Sequence, residues 1–185
     1  MMTLDEAQQD MRRAYYDGAT GVIVSAAVWL SAGLVAVQGS PGGAIATLLI
    51  GGMFIFPLSV LLAKLMGRSG VHAKHNPLAA LATAVTLWML LAIPAAYGAS
   101  LYKTEWFFPA MLLTIGGRYL TFATLYGLRI YYWCGALLAA AGLGLVLCKL
   151  PLAAGALAGG LIEGGFGIAI WLAARQQARQ PLPGA

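Results

Sequence analysis

Two charges constrain this chain more than any other residues. Arg118 stands near the middle of the apolar run Phe107–Tyr132, FFPAMLLTIGGRYLTFATLYGLRIYY, and Glu163 stands deep in a second apolar run near the C-terminus. A lone arginine at the centre of a bilayer costs at least about 3 kcal/mol on insertion scales. Both side chains must therefore face the interior of a helix bundle or a watery cavity, where acceptors and donors are available. The rest of the sequence agrees with a membrane setting: it is 61% hydrophobic and only 9% charged, whereas a soluble domain carries about a quarter charged residues. Too few polar residues remain to cover a water-soluble globule. The fold class expected is an all-α integral membrane protein.

The apolar runs set the spans, since about 20 mostly apolar residues cross a bilayer core of roughly 30 Å. They predict helices over Ala19–Gln38, Ala44–Met66, Leu78–Ala99, Phe107–Leu128, Tyr132–Cys148 and Leu152–Ala174. Six spans pair naturally into three hairpins. Residues 1–18 form a separate amphipathic segment, read as a short helix on the membrane face: Thr3 and Glu6 fit a capping box, and Leu4, Ala7, Met11 and Tyr15 recur at helical spacing. Residues 19–174 make up the transmembrane domain. Residues 175–185 read as a flexible tail. Pro57 and Pro94 fall inside spans, where each frees a backbone carbonyl and is a candidate hinge.

An even number of crossings puts both termini on one side. With the N-terminus inside, the inner segments hold Arg12, Arg13, Lys64, Arg68, Lys74, Arg129, Arg175 and Arg179, and the outer loops hold only Lys103 and Lys149. The positive-inside rule then places both termini in the cytoplasm. Aromatic belts agree: Tyr97, Tyr102, Trp106 and Phe107 mark one interface, and Tyr15, Tyr16, Tyr131, Tyr132, Trp133 and Trp171 the other. The formal charge of +5 is thus explained by topology, and no basic face or stacking platform suggests nucleic acid. Gly51-Gly52-Met53-Phe54-Ile55 before Lys64-Leu65 parallels Gly116-Gly117-Arg118-Tyr119-Leu120 before Arg129-Ile130, which is compatible with a repeated hairpin.

Depth brings the two charges together. Arg118 lies about 16 Å below Phe107, and Glu163 lies equally far below Leu152, in helices entering from the same side. An ion pair between them is the simplest expectation. Thr114 and Thr121 share the helical face of Arg118, and Tyr119 adjoins it, so these residues, with the deep Trp88, are candidates for binding a substrate or ion. Gly155, Gly159, Gly160 and Gly164 form small-xxx-small pairs that let a helix approach closely, from the same chain, a second copy or a partner membrane subunit. Trp29 is a further deep aromatic that either packs or lines a cavity.

Other motifs carry less chemistry. His72 and His75 read as solvated loop residues, too few for a zinc site. Cys134 and Cys148 lie about 21 Å apart on one helix, beyond the roughly 7 Å a disulfide allows, and read as packing residues. No nucleophile elbow, zinc signature, Walker or dinucleotide motif is present, so no catalytic residue, cofactor or metal is expected.

FIFPLSVLLAKL, Asn76-Pro77-Leu78 and GGRYLTFATLYGLRIYY resemble segments of a family of small bacterial multi-helix inner-membrane proteins of unknown function. The resemblance implies a compact helical membrane protein and no particular activity. Two functional classes fit these residues. In one, the chain is a transporter or solute-binding membrane component whose Arg118 attracts a small polar or anionic solute, with Glu163 as counter-ion or proton site. In the other, it is a structural or accessory subunit in which the two charges only fix helix packing.

Overall fold

Each apolar run becomes one helix, because a backbone out of reach of water must satisfy its polar groups within its own segment. The computed structural model describes residues 2–179. They form α1 (Leu4–Tyr15), α2 (Ala19–Val37), α3 (Pro41–Leu65), α4 (Leu78–Tyr102), α5 (Phe107–Tyr126), α6 (Ile130–Leu147) and α7 (Leu152–Arg179), with 3-10 turns at Tyr16–Gly18 and Thr104–Trp106. No strand occurs among the described residues. The expected helices are all present. α7 runs on through Arg175 to Arg179, past the expected start of the flexible tail, and the remainder of that tail, 180–185, lies outside the described residues. Membrane-embedded hydroxyls find partners in their own helix: Ser31 donates to the Ala27 carbonyl, Thr47 to Gly43 and Thr86 to Ala82.

Among the described residues, five segments are long and apolar enough to cross a membrane, counting α1 with α2 as one. The long helix missing from that set is α5, whose composition is diluted by Arg118 and two glycines. Its position explains the tolerance. α5 buries residues around most of its circumference, from Phe107 and Leu112 to Thr114, Tyr119 and Leu125, against α4, α6, α7 and α1. Protein, not lipid, is its solvent. α3 and α4 are the reverse case, peripheral helices that each bury one stripe and share no packed face with each other.

The hairpins α2–α3, α4–α5 and α6–α7 all pack, but the two most extensive interfaces are α2 with α7 and α5 with α6. Glycine makes both possible. A Cβ on Gly116 would lie 2.8 Å from the Gly135 carbonyl oxygen, and one on Gly142 would lie 2.8 Å from that of Pro109. On α7, a Cβ on Gly160 would sit 3.0 Å from the Leu30 backbone nitrogen. The suggested repeat does not extend to packing: Gly51 meets a Val28 side chain at the rim, whereas Gly116 meets the backbone of α6 at the centre.

The N-terminal helix has the expected capping box, with Thr3 N–H donating to Glu6 and Glu6 N–H to Thr3. Its apolar face points elsewhere than expected. Ala7, Met11 and Ala14 are buried against the end of the bundle, while Leu4 is exposed. α1 is a cap. Gln8 donates to the Thr124 carbonyl at 2.7 Å and Arg12 to that of Tyr126 at 2.8 Å, satisfying carbonyls that α5 leaves free at its C-terminus. Gly127 closes α5 in the left-handed conformation, where glycine is favoured. Asp10 accepts from Ala73 N–H and the Asn76 amide, and Asn76 also reaches the Ala7 carbonyl, pinning the α3–α4 loop beneath α1. His72 is half-buried and shares a 2.9 Å hydrogen bond with Tyr15, so of the two loop histidines only His75 is exposed.

Two predictions follow from this packing. Gly116→Val and Gly135→Val push a side chain into facing backbone and should each destabilise by more than about 1–3 kcal/mol. Gly117→Ala meets nothing within 4 Å and should be neutral or stabilising by up to about 1 kcal/mol. Thermal unfolding in detergent checks all three.

The second concerns Asp17, which is buried in a left-handed turn between α1 and α2. Burial raises its carboxyl above the ordinary aspartate range, and Arg12 and Arg68 pull it partly back. A carboxyl raised by folding stabilises the fold when protonated. That contribution is complete below the ordinary aspartate range and is lost as pH rises through the raised value. Asp17→Asn tolerates the same backbone. It should match or exceed the wild type in melting temperature at neutral pH and lose the wild type's gain on mild acidification. A variant less stable at neutral pH would contradict this account.

Candidate functional site

The polar centre forms where α2, α5, α6 and α7 meet. Gly159, one turn before Glu163, packs on the Trp29 indole of α2, and Gly155, one turn earlier, packs on Phe108 of α5. These contacts draw α7 in until Glu163 is fully enclosed, at 0% exposure. Gly164 makes an ordinary contact with Ala26. The Tyr119 hydroxyl donates to Glu163 Oε1 at 3.1 Å. Ser25, buried on α2, approaches the same carboxyl without closing a well-formed hydrogen bond, and Cys134 of α6 flanks it. Among the described residues the second oxygen, Oε2, has no partner, and neither does the buried indole nitrogen of Trp29.

Arg118 is not in this site. Among the described residues no ion pair joins it to Glu163, which corrects the expectation drawn from depth. The reason is helical phase. Adjacent residues on a helix point about 100° apart, and Tyr119 is the residue that faces α7. Arg118 therefore turns towards α4, where Nη1 lies 3.1 Å from the Met89 sulfur and the guanidinium sits 5.1 Å from the Phe122 ring centre. Thioether sulfur is a weak acceptor, and Nε is buried without a partner among the described residues. Equal depth set the height of the two charges and left their direction open.

The other candidates separate in the same way. Thr114 donates to the Ala110 carbonyl at 2.9 Å and Thr121 to that of Arg118 at 2.6 Å, so both hydroxyls are committed to α5 itself. Trp88 is 56% exposed on the outer face of α4 and takes no part in the centre. Trp29, by contrast, is wholly buried beside it. Cys148 is exposed at the far end of α6. No group of three or more His, Cys, Asp or Glu that could hold a metal occurs among the described residues. A groove of about 490 Å³ between α2 and α3, lined by Val24, Val28, Thr47, Ile50 and Leu58, is apolar and lies away from Glu163.

Below the carboxyl, towards α1, the core becomes a cluster of phenols. Tyr119 stacks on Tyr131 with ring centres 5.9 Å apart, and Tyr131 stacks on Tyr126 at 5.5 Å. The Tyr131 hydroxyl donates to the Asp17 carbonyl at 2.6 Å. Tyr131, expected in an interfacial belt, is fully buried, while its neighbours Tyr132 and Trp133 are exposed. Neither Tyr131 nor Ser25 stands out in the sequence, because a serine in one helix and one tyrosine among several carry no spacing signal.

The chain matches the model of the family of unknown function DUF7010 over residues 4–173 and belongs to that family. No curated protein and no solved structure matches it.

The separation of the two charges is directly testable. A double-mutant cycle on stability with Arg118→Leu and Glu163→Gln should give a coupling below about 0.5 kcal/mol, whereas a buried pair would show several kcal/mol. Tyr119→Phe removes the partner of Oε1 and should cost about 1–3 kcal/mol.

Proposed function

We propose that this protein is a small solute-binding membrane carrier of the transporter class in which Glu163 is the proton site. One observation carries the reading: a carboxyl group is enclosed at the centre of the bundle and, among the described residues, has one oxygen unpartnered and no cation paired to it. Burying an ionised carboxylate without compensation costs many kcal/mol, and such groups take up a proton instead. Ionisable residues inside membranes commonly mark proton or solute pathways. Arg118 supplies the complementary feature. Its guanidinium is only partly enclosed and is held by a sulfur and a ring, so it keeps donors for a small polar or anionic solute. Pro57 and Pro94, inside the peripheral helices α3 and α4, are the hinge candidates.

The excess of cations at the α1 end supports both termini in the cytoplasm of an inner membrane. The accessory-subunit reading depends on free small-residue faces, and α2 and α5 already occupy Gly155, Gly159 and Gly160.

Proteoliposomes loaded with a pH-sensitive dye and challenged with short monocarboxylates and with inorganic phosphate test the proposal. Solute-driven proton flux is expected with one of these classes. Glu163→Gln should abolish the proton flux, and Arg118→Leu should weaken solute affinity by about tenfold or more, roughly 1.4 kcal/mol. Both variants should still insert and purify. Unchanged flux in both would remove the assignment.

A further inference from the structure

A second buried acid, outside the polar centre, also lacks a partner. Asp17 stands in the left-handed turn between α1 and α2 and is 7% exposed. Its backbone carbonyl accepts from the Tyr131 hydroxyl, but among the described residues no hydrogen bond and no ion pair reaches its carboxylate. The two arginines whose charge it feels are each engaged with another group. Arg12 donates to the Tyr126 carbonyl, and the Arg68 guanidinium lies 4.6 Å from the Tyr16 ring centre. A buried charge left in this way is costly unless something pairs with it.

Asp17 lines a cavity of about 190 Å³, the room of roughly six water molecules. Arg129 and Gln177 line the same cavity, with the apolar side chains of Leu128, Ile130 and Ile170. Arg129 and Gln177 are exposed, and among the described residues neither side chain makes a hydrogen bond. α6 starts here, at Ile130, with no side-chain cap, so its first turn adds a partial positive charge. A negative and a positive group therefore share one space without pairing with each other. The cavity lies at the α1 end of the bundle, beside the exposed Tyr132 and Trp133. Such aromatics mark the level of lipid headgroups.

We propose that this cavity binds the phosphoethanolamine headgroup of an aminophospholipid from the leaflet at the α1 end. The ammonium sits at Asp17 and gives the carboxylate the charge-assisted hydrogen bonds it lacks. The phosphate sits at Arg129 and the first turn of α6, with the Gln177 amide as a further donor. One acid and one arginine leave the site neutral, which matches a zwitterion and disfavours a simple anion. A choline headgroup has no N–H to give to Asp17. Of the three hairpins, α6–α7 packs least extensively, and its seam lets the acyl chains run back into the bilayer. The site is separate from Glu163 and holds whether or not that residue carries a proton.

The experiment is native mass spectrometry and thermal unfolding of the full chain in detergent, titrated with phosphatidylethanolamine, phosphatidylcholine, phosphatidylglycerol and soluble phosphoethanolamine. Phosphatidylethanolamine should bind about tenfold more tightly than the other two lipids and raise the melting temperature accordingly. Soluble phosphoethanolamine should displace it, but only at higher concentration. Asp17→Asn should erase the preference for ethanolamine over choline. Arg129→Gln should weaken both zwitterionic lipids by roughly tenfold. If Asp17→Asn fails to fold, Arg129→Gln at its exposed position and the wild-type headgroup series still decide. Equal binding of the three lipids, or phosphatidylethanolamine binding unchanged in both folded variants, overturns the proposal. Soluble phosphoethanolamine binding as tightly as the lipid would make a free solute the ligand and overturn the lipid assignment.

Discussion

Enclosing Glu163 depends on how closely α7 approaches α2. That approach is set by glycine: Gly159 yields to the Trp29 ring, Gly160 to Leu30 and its backbone, and Gly167 to Ile23. In lipid there is no hydrophobic force between helices, so association rests on packing and on polar groups finding partners. With bulkier residues along this seam the helices would separate, and the carboxyl would gain room for water. The remainder of the bundle is arranged round the same seam. α5 and α6 form a second glycine-mediated pair, and α5 sends Tyr119 across to the carboxyl.

The two membrane-embedded charges are accommodated by different means. Glu163 is shielded on all sides and keeps one hydrogen bond. Arg118 is a guanidinium that offers only donors. It is placed at the α4–α5 interface, partly open, with soft and aromatic partners. Placing the more expensive group at the rim and the group that can be neutralised at the centre follows from the cost of desolvating each.

Much of the fold was legible because each helix boundary has a local chemical cause. Pro41 and Leu78 open their helices near the expected points, and Gly127 ends α5 where a left-handed cap is needed. The capping box of α1 was equally readable from Thr3 and Glu6. Its docking was not: Asp10, Gln8 and Arg12 find partners in segments far along the chain, and nothing in their spacing points there. The candidate site was half legible. Depth could be counted from the end of each apolar run, so Arg118 and Glu163 were found. Which way each points, and that Thr114 and Thr121 spend their hydroxyls on their own helix, depend on helix rotation.

The sequence by itself determined that this is a helical membrane protein, where most of its helices begin and end, which end gathers the positive charge and at what depth two charges lie. Those properties follow from local composition and from the rise per residue. Only the tertiary structure decided that the charges part company, that a tyrosine rather than an arginine meets Glu163, and that phenols lie on one side of it and an apolar plug on the other. Each of these is a matter of azimuth: a rotation of about 100° exchanges one residue for its neighbour, and only packing against the other helices selects the angle.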